Sequence, residues 1–175
     1  MPHLTRVSEV YWIVPMAGLI RSHLSLLRDI ANALKLPDVQ AEGRTPGLIA
    51  VYRITVRYHD GRACDSAATL WHQQGDRWRL EIGYRGAFEG KLLHYPMTPA
   101  RGDAFAAALA SVGFDRLGDS PDVPLYPTAD LWLIERAAGT FYRGVLLAPE
   151  TTGEPYTRLV NAVQNGLPEA VKRVE

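Results

Sequence analysis

The sequence predicts an α+β protein, a two-layer sandwich in which an antiparallel sheet of five or six strands packs on two or three helices. Three observations lead to this fold class. A chain of 175 residues suits one hydrophobic core, so residues 1–175 are expected to form a single domain. Its 47% hydrophobic and 22% charged residues are ordinary for a globular protein. Segments with strand periodicity, separated by glycine turns, alternate with segments of helical periodicity.

The first helix is predicted from about Met16 to Leu34, because apolar residues recur there at helical spacing. Pro15 suits the first turn of a helix, and Pro37 cannot extend the helix from its other end. Both boundaries therefore have a physical cause. The preceding segment, Glu9 to Val14, is ambiguous in pattern and favours a strand.

A three-stranded meander is predicted next, beginning with the β-branched and aromatic residues 49–58. The Asp-Gly pair ending at Gly61 is a hairpin signal. A two-residue turn would place Val56 opposite Asp65, whereas a three-residue loop with left-handed Gly61 pairs Val56 with Cys64. We choose the three-residue loop.

The strand register also predicts which side chains of the meander share an apolar face. That face comprises Tyr52, Ile54, Val56, Tyr58, Cys64, Ala68, Leu70, Trp78, Leu80, Ile82 and Tyr84. Such a face must be covered, and the first helix is expected to cover it. A sheet curved around this helix would leave a cavity between helix and sheet in which a small ligand can bind.

The second half of the chain repeats the helix-then-hairpin order. Thr98 and Pro99 have the composition of a helix start, and Gly113 that of a helix end. The remaining predicted elements are an exposed loop from Asp115 to Pro127, strands at Leu131–Arg136 and Phe141–Leu147, a helix over 156–165 and a short helix from Pro168.

The chain lacks the common catalytic and cofactor-binding motifs, including the Walker loop, the dinucleotide glycine motif, His-Glu-x-x-His and Gly-x-Ser-x-Gly. No cofactor or metal site is therefore predicted. Cys64 is the only cysteine, which excludes an internal disulfide and favours a reducing, cytoplasmic compartment. Val10 to Ile20 is too short an apolar run to span a bilayer. The excess of arginine over lysine is typical of a bacterial, GC-rich genome.

An anion site is the first binding hypothesis. Strand parity places Arg53 and Arg57 on the outer face of the meander with Arg79, where three guanidinium groups could hold a phosphate or carboxylate. The simpler interpretation is a solvated ladder neutralised by Asp65 and Glu81. A formal net charge of zero argues against a nucleic-acid partner.

Two further features suggest binding. Tyr84 and Arg85 lie in the glycine-rich segment Gly83 to Gly90, which is either a ligand loop or a sheet exit with Phe88 plugging the core. Parity sets Trp71 outward, and large exposed aromatic side chains often mark interfaces. Trp71 therefore predicts a contact surface and, with it, a homodimer.

The best general acid–base candidates are His72, His94 and Tyr95. An enzyme would bring His72, His94 or Glu81 together in a pocket, and no sequence spacing shows that they converge. Because motifs are absent and charge is balanced, the sequence favours a non-catalytic binding or protein-interaction module. A small enzyme using a pocket histidine or carboxylate is the alternative. Both readings allow a small anionic ligand.

Overall fold

A computed structural model describes residues 16–126 and 128–175, so the strand predicted at Glu9 to Val14 lies outside the described residues. The helices are α1 (Met16–Ala33), α2 (Val39–Glu42), α3 (Pro99–Val112) and α4 (Tyr156–Gly166). The strands are β1 (Leu48–Arg57), β2 (Ser66–Gln73), β3 (Arg77–Tyr84), β4 (Leu93–Tyr95), β5 (Leu131–Ala138) and β6 (Phe141–Leu147). Short 3-10 turns occupy Phe88–Gly90, Phe114–Arg116 and Pro168–Val171.

The six strands form one antiparallel sheet in the order β4-β3-β2-β1-β5-β6. The α+β class, with an antiparallel sheet packed against helices, is confirmed. Strand β1 lies in the middle of the sheet, paired with β2 on one side and β5 on the other. A central strand with helices over the sheet is buried on both faces, and residues 50–56 are all buried. No helix within 16–126 and 128–175 is long and apolar enough to cross a membrane.

The predicted three-residue loop between β1 and β2 is wrong. Val56 pairs with Ser66, two residues later than expected. The intervening residues do not continue the backbone ladder. The Asp65 side chain accepts the Tyr58 N–H at 3.0 Å, and the Cys64 N–H donates to the Val174 carbonyl at 2.7 Å. A shift of two residues preserves side-chain parity, so the predicted apolar face of the meander is correct.

Helices cover both faces of the sheet, and α1 lies on the face opposite to the one we predicted. Leu27, Ile30 and Leu34 of α1 pack with Ala67, Leu131, Leu133 and Leu146. The Tyr52 face is covered instead by α3, α4 and the 3-10 turn that follows α4. Gly83 allows α1 this close approach, since an added Cβ there would lie 3.1 Å from Leu34. We call the α1-covered side the outer face and the other the inner face.

Candidate ligand cavity

A cavity of about 200 Å³ lies between α1, α2 and the outer face of the sheet, and we call it the helix–sheet cavity. Its polar lining comprises Arg28, Asn32, Asp38, Gln40, Arg53, Thr55, Glu135 and Tyr142. Apolar walls come from Leu27, Ala31, Leu36, Val39 and Leu133. The sheet thus provides a charged floor, while α1 and the 36–40 segment provide a mostly apolar wall with a polar rim.

Arg53 anchors the floor of the cavity from the middle of β1, with Thr69 and Glu135 opposite it on the neighbouring strands. It is 2% exposed. Its Nε donates to Thr69 Oγ1 at 3.1 Å, Nη1 donates to the Pro37 carbonyl at 2.7 Å and Nη2 donates to Glu42 Oε2 at 2.9 Å. Arg53 therefore fixes the segment from Pro37 through α2 over the sheet, which makes it a positioning residue for the cavity.

Glu42 connects Arg53 to Trp71, because its second oxygen accepts the indole N–H at 3.1 Å. Burial raises the pKa of Glu42, while the Trp71 hydrogen bond and the Arg53 charge oppose that rise. Trp71 is only 5% exposed and packs with Val39. Trp71 does lie on the outer face, as its parity predicts, but the expected exposure of its indole ring is wrong because α2 covers it.

Glu135 and Tyr142 form the second polar pair of the floor. The Tyr142 hydroxyl donates to Glu135 Oε1 at 2.7 Å, and Glu135 is 8% exposed. Burial raises the pKa of Glu135, although the Tyr142 hydrogen bond and the Arg53 and Arg28 charges act in the opposite direction. Burial, followed by the charge of Glu135, also raises the pKa of Tyr142.

Gly144 explains how Tyr142 reaches Glu135 across the sheet. It lies opposite Glu135 in the β5–β6 register. A Cβ added at Gly144 would be 3.0 Å from the Tyr142 hydroxyl oxygen. A side chain at this position would therefore crowd the Tyr142 ring where it crosses toward the carboxylate.

One oxygen of Glu135 remains free for a ligand. Within the described part of the chain, Oε1 accepts from Tyr142 and no protein donor bonds to Oε2. Oε2 is nevertheless not among the fully buried unpaired atoms. Since Glu135 lines the cavity, Oε2 can accept a hydrogen bond from a molecule inside it.

The predicted anion-binding residues do not meet in one place. Arg53 belongs to the helix–sheet cavity, whereas Arg57 and Arg85 line a different cleft beside the β1–β2 loop. Arg79 stacks on the Trp71 ring at 4.1 Å. Tyr84 is buried on the inner face, where its hydroxyl donates to the Glu169 carbonyl at 3.3 Å. Phe88, suggested as a core plug, is 48% exposed.

The acid–base candidates converge only in part. His94 Nδ1 lies 3.1 Å from Glu81 Oε1 across the β3–β4 pair. His72 stacks on Trp78 with 4.0 Å between ring centroids and contributes to the opposite face. None of the three lines the helix–sheet cavity. Among the residues that the structure describes, no cluster of histidine, cysteine or carboxylate groups could hold a metal ion.

The sequence prediction missed Glu42, Glu135 and Tyr142. A signal was present at Glu135, which shares the parity of Leu133 in a strand whose other residues, apart from Arg136, are apolar. A carboxylate at such a position is either solvated at a sheet surface or buried for a reason. No family model matches the chain, and no curated protein matches it either.

Proposed function

We propose that the protein is a non-catalytic binding module that holds a small polar molecule in the helix–sheet cavity. The observation that carries this proposal is the free Oε2 of Glu135, an oxygen of a largely buried carboxylate that borders a concave, partly open space. Ligand sites are typically concave and contain a small number of fixed polar groups that orient the ligand. Tyr142 and Arg53 provide that fixation, because each is hydrogen-bonded to its neighbours in the sheet or in α2.

The energetic cost of Glu135 supports a ligand role. A buried carboxylate with a raised pKa is less favourable than an apolar residue of similar size, so the fold itself does not need it. Groups of this kind concentrate at functional sites. Arg53 is already paired with Glu42, whereas Glu135 lines the cavity with one oxygen that can accept a hydrogen bond from a ligand.

The geometry favours a ligand with a hydrogen-bond donor, either an amine or a hydroxyl group, directed at Glu135 Oε2. Arg28 and Asn32 on α1 also line the cavity and can bond to acceptor groups of the molecule. A volume of 200 Å³ equals that of about seven liquid waters. The ligand therefore has on the order of ten non-hydrogen atoms or fewer.

A fragment titration followed by amide NMR tests this function, using small amines, amino alcohols and polyols as probes. We expect shifts at residues of α1, β5 and β6 in the wild type. Glu135→Gln keeps an acceptor for Tyr142 but removes the charge, so it should lose these shifts. Exposed Glu150 provides the matched control, and Glu150→Gln should bind as the wild type does. Binding that is equal in Glu135→Gln, or shifts located elsewhere, would refute the proposal.

A second candidate function is general acid–base catalysis by Glu135. It is favoured by the raised pKa of this carboxyl group and by the 2.7 Å hydrogen bond from Tyr142. Glycosidases and isomerases use carboxyl groups tuned in this way by burial. Following a cavity ligand by NMR over time separates the two functions, because an enzyme converts it and a binding module returns it unchanged.

The homodimer stays a prediction, but the residue predicted to form the centre of its interface is not exposed. Trp71 is covered within the chain by α2 and cannot serve as the exposed centre of an interface. Light scattering at micromolar concentration determines the oligomeric state directly. Cytoplasmic location and bacterial origin likewise stay predictions from the sequence.

A further inference from the structure

A second, wider cleft lies at the end of the sheet where the β1–β2 loop meets the end of β3, and we call it the arginine cleft. It has a volume of about 1060 Å³ and is open to solvent. Its charged lining residues include Arg57, Arg62, Arg85, Asp65 and Glu175. We propose that this cleft binds the phosphate group of a small molecule, with Arg57 as the central ligand.

Arg57 differs from the other cations of the cleft because its charge is not neutralised. Arg62 pairs with Asp60, and Arg85 Nη1 lies 3.7 Å from Asp65. Arg57 has no ion pair in the described residues, and its Nη1 is fully buried without a hydrogen-bond partner there. A guanidinium nitrogen that is out of water and unpaired bears its desolvation cost with no compensation.

A phosphate oxygen would supply the missing acceptor once the Arg57 side chain turns Nη1 from its buried position toward the cleft. The planar guanidinium fork matches phosphate geometry, and charge-assisted hydrogen bonds are the stronger kind. Arg62 and Arg85 have exposed side chains at the rim, so they can turn toward the anion when it arrives. Asp65 already accepts the Tyr58 N–H, so it does not compete fully for these arginines.

The size of the cleft favours a phosphate carried on a small organic body over a phosphate in a nucleic-acid backbone. The cleft is far larger than one phosphate ion, yet its acidic groups, Asp65 and Glu175, would repel a polyanion. Free phosphate and a phosphomonoester share the same anchoring chemistry. The two are distinguished by whether the organic body adds affinity.

The test is calorimetric and NMR titration of inorganic phosphate, glycerol phosphate and acetate at low ionic strength. Phosphate should bind and acetate should bind more weakly. Arg57→Met should weaken phosphate binding about tenfold or more, the loss expected for one charge-assisted contact. Arg57→Lys should restore part of it, because it keeps the charge and loses the fork. Exposed Arg116 offers the matched control, and Arg116→Gln should leave binding unchanged.

Thermal stability without ligand gives an independent check. Arg57→Met should be as stable as the wild type or more stable, since it removes an unpaired buried donor and keeps an unbranched side chain. A marked loss of stability would show that Nη1 is satisfied in the free protein and would overturn the proposal.

Equal phosphate affinity in Arg57→Met and the wild type, or no phosphate binding to the wild type, would also overturn the proposal. Tighter glycerol phosphate binding assigns a phosphomonoester, and equal binding assigns free phosphate. Glu135→Gln should bind phosphate normally, which separates this site from the helix–sheet cavity.

Discussion

Helices cover both faces of the sheet, but the two faces bury different chemistry. The inner face packs Tyr52, Ile54, Leu80 and Ile82 against α3 and α4. On the outer face, strands β1, β2, β3 and β5 bury Arg53, Thr55, Thr69, Glu81 and Glu135. A sheet face that serves only to stabilise the fold needs no charged side chains, because burying apolar residues stabilises the fold without the desolvation cost of charges. The inner face thus carries most of the stability, and the outer face carries the groups available for function.

The largest expected effect comes from the inner face. Phe105 is 1% exposed and meets the Tyr52 ring edge-on, with 5.8 Å between centroids. Phe105→Ala should lower the free energy of unfolding by about 4 kcal/mol, because it leaves a large cavity in the core. Urea denaturation measures the loss. Exposed Phe88 is the control, and Phe88→Ala should cost less than about 1 kcal/mol. Equal losses would show that the inner face is not the main core.

On the outer face, Arg53→Met should cost about 3 kcal/mol, because it leaves the partly buried Glu42 carboxylate without its cation. The double variant with Glu42→Gln should recover part of this loss, since the uncompensated charge is gone. Denaturation of both variants gives the coupling energy. A single variant as stable as the wild type would show that Arg53 does not hold α2 in place.

The loop between β1 and β2 tests backbone conformation rather than packing. Gly61 has φ +67° with open space around it, so the only cost of a side chain is the left-handed backbone. Gly61→Val should lose about 1–2 kcal/mol. Gly118 is also surrounded by open space but lacks a positive φ, so Gly118→Val is the matched control and should be nearly neutral. A thermal melt of each variant checks the difference.

The smallest expected effect is a gain in stability when the charge of Glu135 is removed. Burial raises the pKa of Glu135, so the folded protein holds this proton at pH values where the unfolded chain has lost it. Stability therefore falls as pH rises from the ordinary glutamate range, near about pH 4.3, through the folded pKa, and it stays reduced above it. Glu135→Gln removes this term and should be about 1 kcal/mol more stable at neutral pH.

The two proteins should converge in stability at acid pH, where Glu135 is protonated in both states. Denaturation of wild type and Glu135→Gln across pH measures this difference. A variant that is less stable at neutral pH would show that the charged carboxylate strengthens the fold. The outer face would then need no functional explanation.

Sequence parity predicted one of these two faces well. Leu80 and Ile82 alternate with polar residues, and an error of two residues in the β1–β2 register left their face unchanged. The position of α1 was not predictable, because an amphipathic stripe shows that a helix is buried but not against which surface. Here both faces of the sheet are covered by helices, and the apolar stripe of α1 could pack against either face.

The outer-face site was hidden for a different reason. Helix α2 has only four residues, too few for any periodic signal, yet it buries Trp71 and brings Glu42 to Arg53. The alternation of side chains along the strands therefore predicted that Arg53 and Trp71 face solvent. The role of Glu135 as a cavity residue depends on the positions of Tyr142 and α1 beside it. These positions are set by the tertiary structure and not by the local sequence pattern.

The most direct test of the function assigned to the outer face is a crystal structure of the protein soaked with its best-binding amine or polyol fragment. We expect density inside the helix–sheet cavity, with a donor atom about 2.7–3.1 Å from Glu135 Oε2. The hydrogen bonds from Tyr142 to Glu135 and from Arg53 to Glu42 should be unchanged. An empty cavity at saturating fragment, or density that does not touch Glu135, would contradict the assignment.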